Sequence, residues 1–398
     1  MSRFFAYAPD QAYLLPPNVK DILGESHLCF FVHRAVEQFD LKQFEEAYGN
    51  EGRLAYPPAM MLKVWLYAFA LAVSSTRRLE RRIQEDLAFR YLAGGLAPDH
   101  KTLSEFLRRH RRAINDVFTQ VVQMARRAGM GKLGHVAIDS TRVRANASRR
   151  SVVPLEQLQR QQWAHDRRLV RDFQQKAGEQ DPEEDGGVRL SRAEQEALAQ
   201  QPIPVPPKKG RQQVSTTDPD SRFLRTAEGW SLGYTADLAV SDDHLIVGAR
   251  VTQNATDNAS LVPMVDEVEQ QCGTRPEKVT GDSGFFSAAA LHEMKRRGID
   301  VYVPDSNLRH EMHTGKRAQG IGRCAIRDPE HLQLREKLRT PQGRRMYLRR
   351  QAVVEPVFGV LKQQRGMRKF QRRGLQAVAT EWMMAVIAYN LTHMAAQH

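Results

Sequence analysis

The chain has 398 residues, room for two or three domains with sizeable cores, since a domain usually takes about 100 to 200 residues. Its 59 Lys and Arg against 46 Asp and Glu give +13 and a pI near 9.8; such a balance points to a polyanion, nucleic acid first, with an untargeted solvated surface as the plain alternative. Cys29, Cys272 and Cys324 form no CxxC pair, which argues against a disulfide framework or a zinc site of ordinary spacing and for a cytosolic protein.

The opening MSRFFAYAPDQAYLL lacks the long apolar core and small-residue cleavage site of a leader, so secretion is not expected. The most apolar stretch, PPAMMLKVWLYAFALAV (57–73), is interrupted by Lys63 and is shorter than the ~20 residues a membrane span needs; it reads as a buried helix, and no membrane partner is expected. Residues 1–130 read as an all-α domain. After Ser74-Ser75-Thr76, which offer cap oxygens, Leu79, Ile83, Leu87 and Tyr91 recur every four residues until Gly94-Gly95. Thr102 with Glu105 fits a capping box for a helix that runs to Gly129. From Arg77 to Arg112 there are ten Lys or Arg and five acids, clustered as RR, RR and RRHRR. A DNA-reading helix-turn-helix and an ordinary bundle with a solvated basic face fit this pattern equally.

From Gly134 the texture changes to runs of strand length: HVAID, GYTADLAVS, HLIVGARVT, KVTGD and DVYVP. Helical periodicity with a glycine stop marks SLVPMVDEVEQQCG and SAAALHEMKRRG, so the order is strand, strand, strand, helix, strand, helix, strand, a mixed α/β sheet. Residues 149–220 interrupt it as an insertion with a Gln- and Arg-rich amphipathic stretch, an acidic DPEEDGG turn and the extended linker QQPIPVPPKKGRQQ. A second irregular segment, 305 to about 340, carries His310 and His313 before a final helical region.

Asp139 ends the first strand and Asp282 the fourth, where Gly281 and Gly284 allow a sharp turn. If those strands are neighbours the two acids converge, and converging carboxylates repel unless a cation sits between them; hard oxygen ligands select Mg²⁺ or Mn²⁺. Each aspartate taken alone is the ordinary cap of a turn. Between Arg344 and Arg373 ten Lys or Arg surround a single acid, Glu355, set among apolar neighbours in QAVVEPVFGVL. Glu355 and Lys362 are two helical turns apart and share a face, with a helix start or bend expected at Pro356.

The aspartate of HVAIDSTRVRANAS, the block TDPDSRFLRTAEGWSLGYTADLAVSDDHLIVGARVTQNATDN, the aspartate of TGDSGFFS and the segment YLRRQAVVEPVFGVLKQQRGMRKFQRRG together resemble bacterial insertion-sequence transposases of the DDE type. The N-terminal YPPAMMLKVWLYAFALAVSSTRRLERRIQEDLAFRYLAGGLAPDHKTLSEFLRRHR is similar to the helical domain that precedes their catalytic core. The resemblance implies an all-α DNA-binding and dimerisation domain over 1–130 and a ribonuclease-H-like α/β catalytic domain over 131–398, with 149–220 inserted in it. It implies that Asp139, Asp282 and Glu355 hold two Mg²⁺ ions, or Mn²⁺ in their place, and that Lys362 acts beside the scissile phosphate. The family's Tyr, Arg, Glu, Lys signature falls on Tyr347, Arg350, Glu355 and Lys362, with four residues rather than three between Arg350 and Glu355. The implied reaction is cleavage at terminal inverted repeats of double-stranded DNA and joining of the 3′-ends to target DNA, in the bacterial nucleoid, by a homodimer or higher synaptic multimer. Candidate DNA contacts are Arg108, Arg109, Arg111, Arg112, Arg142, Arg144, Arg350, Lys362, Arg365, Arg368, Lys369, Arg372 and Arg373. A domesticated metal-dependent nuclease and a catalytically idle DNA-binding repressor are the rival readings.

Overall fold

The computed structural model describes residues 18–49, 54–154, 213–226, 229–315 and 328–397. The expectations for MSRFFAYAPDQAYLL and for most of the insertion lie outside them. Two units are distinguished: 1–146 with 222–398, and 147–221. Among its described residues the second carries a two-stranded antiparallel ribbon, Val152–Pro154 with Gln213–Ser215, closed by a hydrogen bond between the Ser151 and Ser215 hydroxyls of 2.8 Å.

The first unit opens with α1 (Val19–Leu23), α2 (Leu28–Val36), α3 (Lys42–Glu45), α4 (Pro58–Ala70), α5 (Thr76–Glu85), α6 (Leu87–Leu92), α7 (His100–Arg109) and α8 (Arg111–Arg127). The apolar run is the buried helix its composition predicts: every residue of α4 from Met60 to Ala70 is buried, and Lys63 runs its aliphatic stem out to the Glu37 carboxylate. The four-residue repeat through Tyr91 is not one helix. Asp86 leaves helical geometry (φ −102°, ψ 127°) and its carboxylate accepts the N–H of Ala88 at 2.9 Å, so a good N-cap divides α5 from α6. The Thr102–Glu105 capping box is not formed either. Asp99 caps α7 by accepting the Thr102 N–H at 2.7 Å, while Glu105 pairs with Arg108, and Ser75 makes no side-chain cap to α5.

The helix expected to run unbroken to Gly129 divides at His110 (φ −101°, ψ 29°). The imidazole is buried beside the rings of Phe44 and Phe106 (centroids 5.0 and 4.8 Å) and 2.9 Å from the Tyr48 hydroxyl; burial pushes its pKa down to about 4.

The sheet contains β1 (Val136–Arg144), β4 (Arg222–Thr226), β5 (Gly229–Ser241), β6 (Ile246–Thr252), β7 (Lys278–Gly281) and β8 (Asp300–Tyr302), counting the ribbon strands as β2 and β3. Its order is β4-β5-β1-β7-β8, with β6 also pairing β5. β5 is antiparallel to β1, β4 and β6, whereas β7 is parallel to β1 and to β8. The five expected strands and two intervening helices, α9 (Leu261–Cys272) and α10 (Ala288–Arg296), are present in the expected order. β4 is additional, and β1 continues five residues beyond Asp139 because the long β5 supplies partners as far as Gly233.

The chain then forms α11 (Ser306–Thr314), α12 (Pro329–Arg339), α13 (Pro341–Gly359), a π-helical segment (Val360–Gln364) and α14 (Leu375–Ala395). α13 does not start at Pro356. It begins at Pro341, capped by the Thr340 hydroxyl (3.0 Å to the Gly343 N–H), passes through Pro356, and loosens into the π turn just beyond. α14 is apolar on nearly every side and packs against α2, α4, α7, α8 and β6. Its buried Asn390 accepts the Ile246 N–H at 3.0 Å and donates to the Ile246 carbonyl at 2.8 Å, satisfying backbone that an edge strand would leave bare. Among the described residues no helix is long and apolar enough to cross a membrane.

Candidate active site

The parallel pairing of β1 with β7 sets Ile138 opposite Gly281. One step further along each strand stand Asp139 and Asp282, so two acids distant in sequence share one edge of the sheet. Asp282 turns out of β7 and accepts the N–H of Ser283 at 2.7 Å; Asp139 likewise accepts that of Ser140 at 2.9 Å. Neither Gly281 nor Gly284 adopts positive φ, so the glycines serve here as space rather than as turn formers. A Cβ on Gly281 would lie 3.2 Å from Val303, and one on Gly284 3.3 Å from the Asp257 carboxylate.

α13 packs on β1, β5, β7 and β8 and brings Arg350 and Tyr347 to the carboxylates. The buried Arg350 donates to Asp139 at 2.5 Å, and its guanidinium carbon lies 6.0 Å from the Tyr347 ring centroid. Arg309 reaches within 3.4 Å of Asp282. Burial raises the pKa of Asp139, Arg350 opposes the rise, and Asp282 and Asp257 add to it as like charges. Tyr347 is raised as well, by burial and then by Asp282. Lys362, half-buried in the π segment, is lowered by burial and by Arg368, with Asp139 acting the other way. Glu355 is exposed on α13. Among the described residues no group of three His, Cys, Asp or Glu side chains is placed to hold a metal ion.

Residues 201–391 match the model of the transposase DDE domain, and residues 17–109 that of a transposase domain (DUF772). The chain belongs to the DDE transposases of insertion sequences. No curated protein and no solved structure matches it.

In this transposase the candidate DNA contacts divide into groups. Arg142 is bound to Asp257 (2.9 and 3.2 Å) and to the Ala255 carbonyl (3.1 Å). Arg144 extends β1 toward the C-terminal basic run, its N–H donating to Arg368 at 3.1 Å and its carbonyl accepting from Phe370 at 2.9 Å. Arg365 folds inward to the Thr392 hydroxyl (2.7 Å), and burial lowers its pKa. Arg368, Lys369 and Arg112 are exposed, Arg108 is paired with Glu105, and Arg109 lies over the Tyr48 ring at 5.1 Å. Arg111, Arg372 and Arg373 gather beside one cleft.

Sequence reasoning missed Arg309, Asp257 and Asp237. Asp237, opposite Ser140 on β5, is fully buried, and burial pushes its pKa up to about 6 against the opposing effect of the Ser260 hydroxyl. A lone acid inside the apolar run GYTADLAVS was the available signal. For Asp257 and Arg309, on segments remote from β1, local sequence offered none.

Proposed function

We propose that this transposase cuts phosphodiester bonds at the terminal inverted repeats of its element and joins the 3′-ends to target DNA on a ribonuclease-H-like core. The observation that carries the reading is the register of β1 and β7, which brings Asp139 and Asp282 to one edge of the sheet. Three antiparallel strands, β1, β5 and β6, followed by the parallel β7 and β8, support the core assignment. The donor set fits a hard divalent cation in kind, two neighbouring carboxylates whose mutual repulsion opposes ionisation; Glu355, exposed on α13, is not grouped with them here and would have to be brought to them to serve as third ligand. Asp139, Asp282 and Glu355 would hold Mg²⁺ or Mn²⁺. When bound, the ions supply Lewis acidity that activates water or a 3′-hydroxyl and stabilises the leaving oxygen.

The chain's own residues do the rest. Arg350 donates to the Asp139 carboxylate, and a guanidinium held there would also be suited to bind a phosphate beside the cut. Lys362, on the π turn and within electrostatic reach of Asp139, would supply a second cation. Joining two element ends needs at least two copies of the chain, so a dimer or larger assembly on DNA is part of the reading.

The test compares Asp139→Asn and Asp282→Asn with the parent. Each removes one acceptor charge while sparing the basic surface, so cleavage of repeat-end duplex should disappear while affinity stays within severalfold. Mg²⁺-dependent cutting retained by either variant overturns the assignment. Cutting without 3′-end joining by the parent would leave a nuclease.

A further inference from the structure

A cleft of about 720 Å³ opens on the first unit, between α4, α5 and α7 on one side and the Gln371–Arg373 segment with α14 on the other. Six cations line it: Arg77, Lys101, Arg108, Arg111, Arg372 and Arg373. Of these, Arg108 is paired with Glu105, while Arg111 bonds to the neutral Gln376 amide and keeps a buried Nε without a hydrogen-bond partner. The one carboxylate in the lining, Glu381, is buried and occupied by the backbone N–H groups of Gln371 and Arg372 (2.9 Å each). His100, also on the wall, pairs with Glu80 at 3.0 Å. The positive charge of the lining is therefore far from cancelled.

The cleft is also tied to the catalytic edge. Asn146, just beyond the end of β1, donates to the Gln371 carbonyl at 2.8 Å and accepts from Arg373 at 3.0 Å. It stands seven positions along largely extended chain from Asp139, at most about 23 Å at ~3.3 Å per residue. A polyanion seated in the cleft is thus held at a fixed distance from the carboxylates.

We infer that this cleft is a sequence-independent binding site for the phosphate backbone of duplex DNA, made jointly by the N-terminal helices and the C-terminal basic segment. The inference rests on the transposase reading and deepens it. Arg, Lys, Ser and Asn side chains line the wall, groups that hold phosphates, while Trp65 and Phe69 beneath are buried and offer no ring face to a base. The two basic clusters that look separate in sequence act as one site, so neither half suffices.

The test uses the full chain, a fluorescein-labelled duplex of random sequence and a salt titration without metal. Arg77 and Lys101 are exposed, so Arg77→Gln/Lys101→Gln leaves folding intact; Arg111→Gln/Arg372→Gln tests the other wall, with melting temperature checked for both. Each pair should weaken binding about tenfold at low salt and reduce the slope of log affinity against log salt by roughly 2, about 1 per lost phosphate contact. Arg275→Gln/Arg296→Gln, neither of which lines the cleft, sets the effect of net charge alone. A slope unchanged in the Arg77→Gln/Lys101→Gln protein, or changed no more than in the control, overturns the inference. A parent that binds and shows these slopes but never cuts with Mg²⁺ leaves the cleft standing and removes the catalytic reading instead.

Discussion

Arg350 donates to the carboxylate of Asp139, one of the proposed metal ligands, and the energetics of that contact can be tested directly. The side chains are 9 % and 20 % exposed, and removing one partner of a buried pair costs roughly 3 kcal/mol or somewhat less at this exposure. Arg350→Ala should therefore melt several degrees below the parent in EDTA. It should also recover more on adding Mg²⁺ than the parent gains, because the Asp139 oxygen no longer has to leave an arginine. An increment equal to or below the parent's shows that Arg350 does not compete for that oxygen. The family resemblance pointed to Tyr347 and Arg350 in spite of the extra residue before Glu355, but not to their targets. Which carboxylate a guanidinium reaches depends on how α13 lies across β1 and β7, a property of packing between segments over 200 residues apart.

At the scale of elements, local patterns fixed what local forces decide. α4 and the strands were legible because their apolar runs leave few alternatives, whereas the β1–β7 pairing stood only as a condition in the sequence and is supplied by the fold. The breaks at Asp86 and His110 were not: the first is a cap competing with an intact periodicity, and the second is set by Phe44 and Tyr48 from a distant helix and loop. β4 is five residues long and directly follows the turn-forming TDPDS, so no strand-length apolar run marked it. Two glycines of α13 separate local from tertiary effects. A Cβ at Gly343 would sit 2.0 Å from the Lys337 carbonyl oxygen, so Gly343→Ala must pry α12 from α13 and displace Tyr347 and Arg350. It should lower both melting temperature and cleavage. A Cβ at Gly359 meets nothing within 4 Å in helical backbone, so Gly359→Ala should stabilise by about 0.5–1 kcal/mol. Calorimetry of the two variants checks this, and a stable Gly343→Ala would refute the tight corner.

At the scale of the molecule, α14 joins the helical region to the sheet, since it packs on α4 and α8 as well as on β6. Glu381 near its start is buried, and its carboxylate holds the loop of the basic run through the Gln371 and Arg372 N–H groups. Burial outweighs those bonds and raises its pKa from 4.5 to about 7. A carboxyl raised in the folded state binds its proton more tightly there than in the unfolded chain. The stability it contributes is complete below about pH 4.5 and is lost as pH rises through about 7. At about 1.4 kcal/mol per pH unit the loss is on the order of 3 kcal/mol. Glu381→Gln keeps an oxygen for the shared position and removes the ionisation. Unfolding by urea should then show the parent losing stability between pH 5 and pH 8 relative to the variant, so that the variant, equal or weaker at pH 5, becomes the more stable protein at pH 8. Parallel curves for the two proteins across that range would mean that Glu381 stays ionised in its burial site and that the two N–H groups, with Arg372 beside them, suffice to hold the charge.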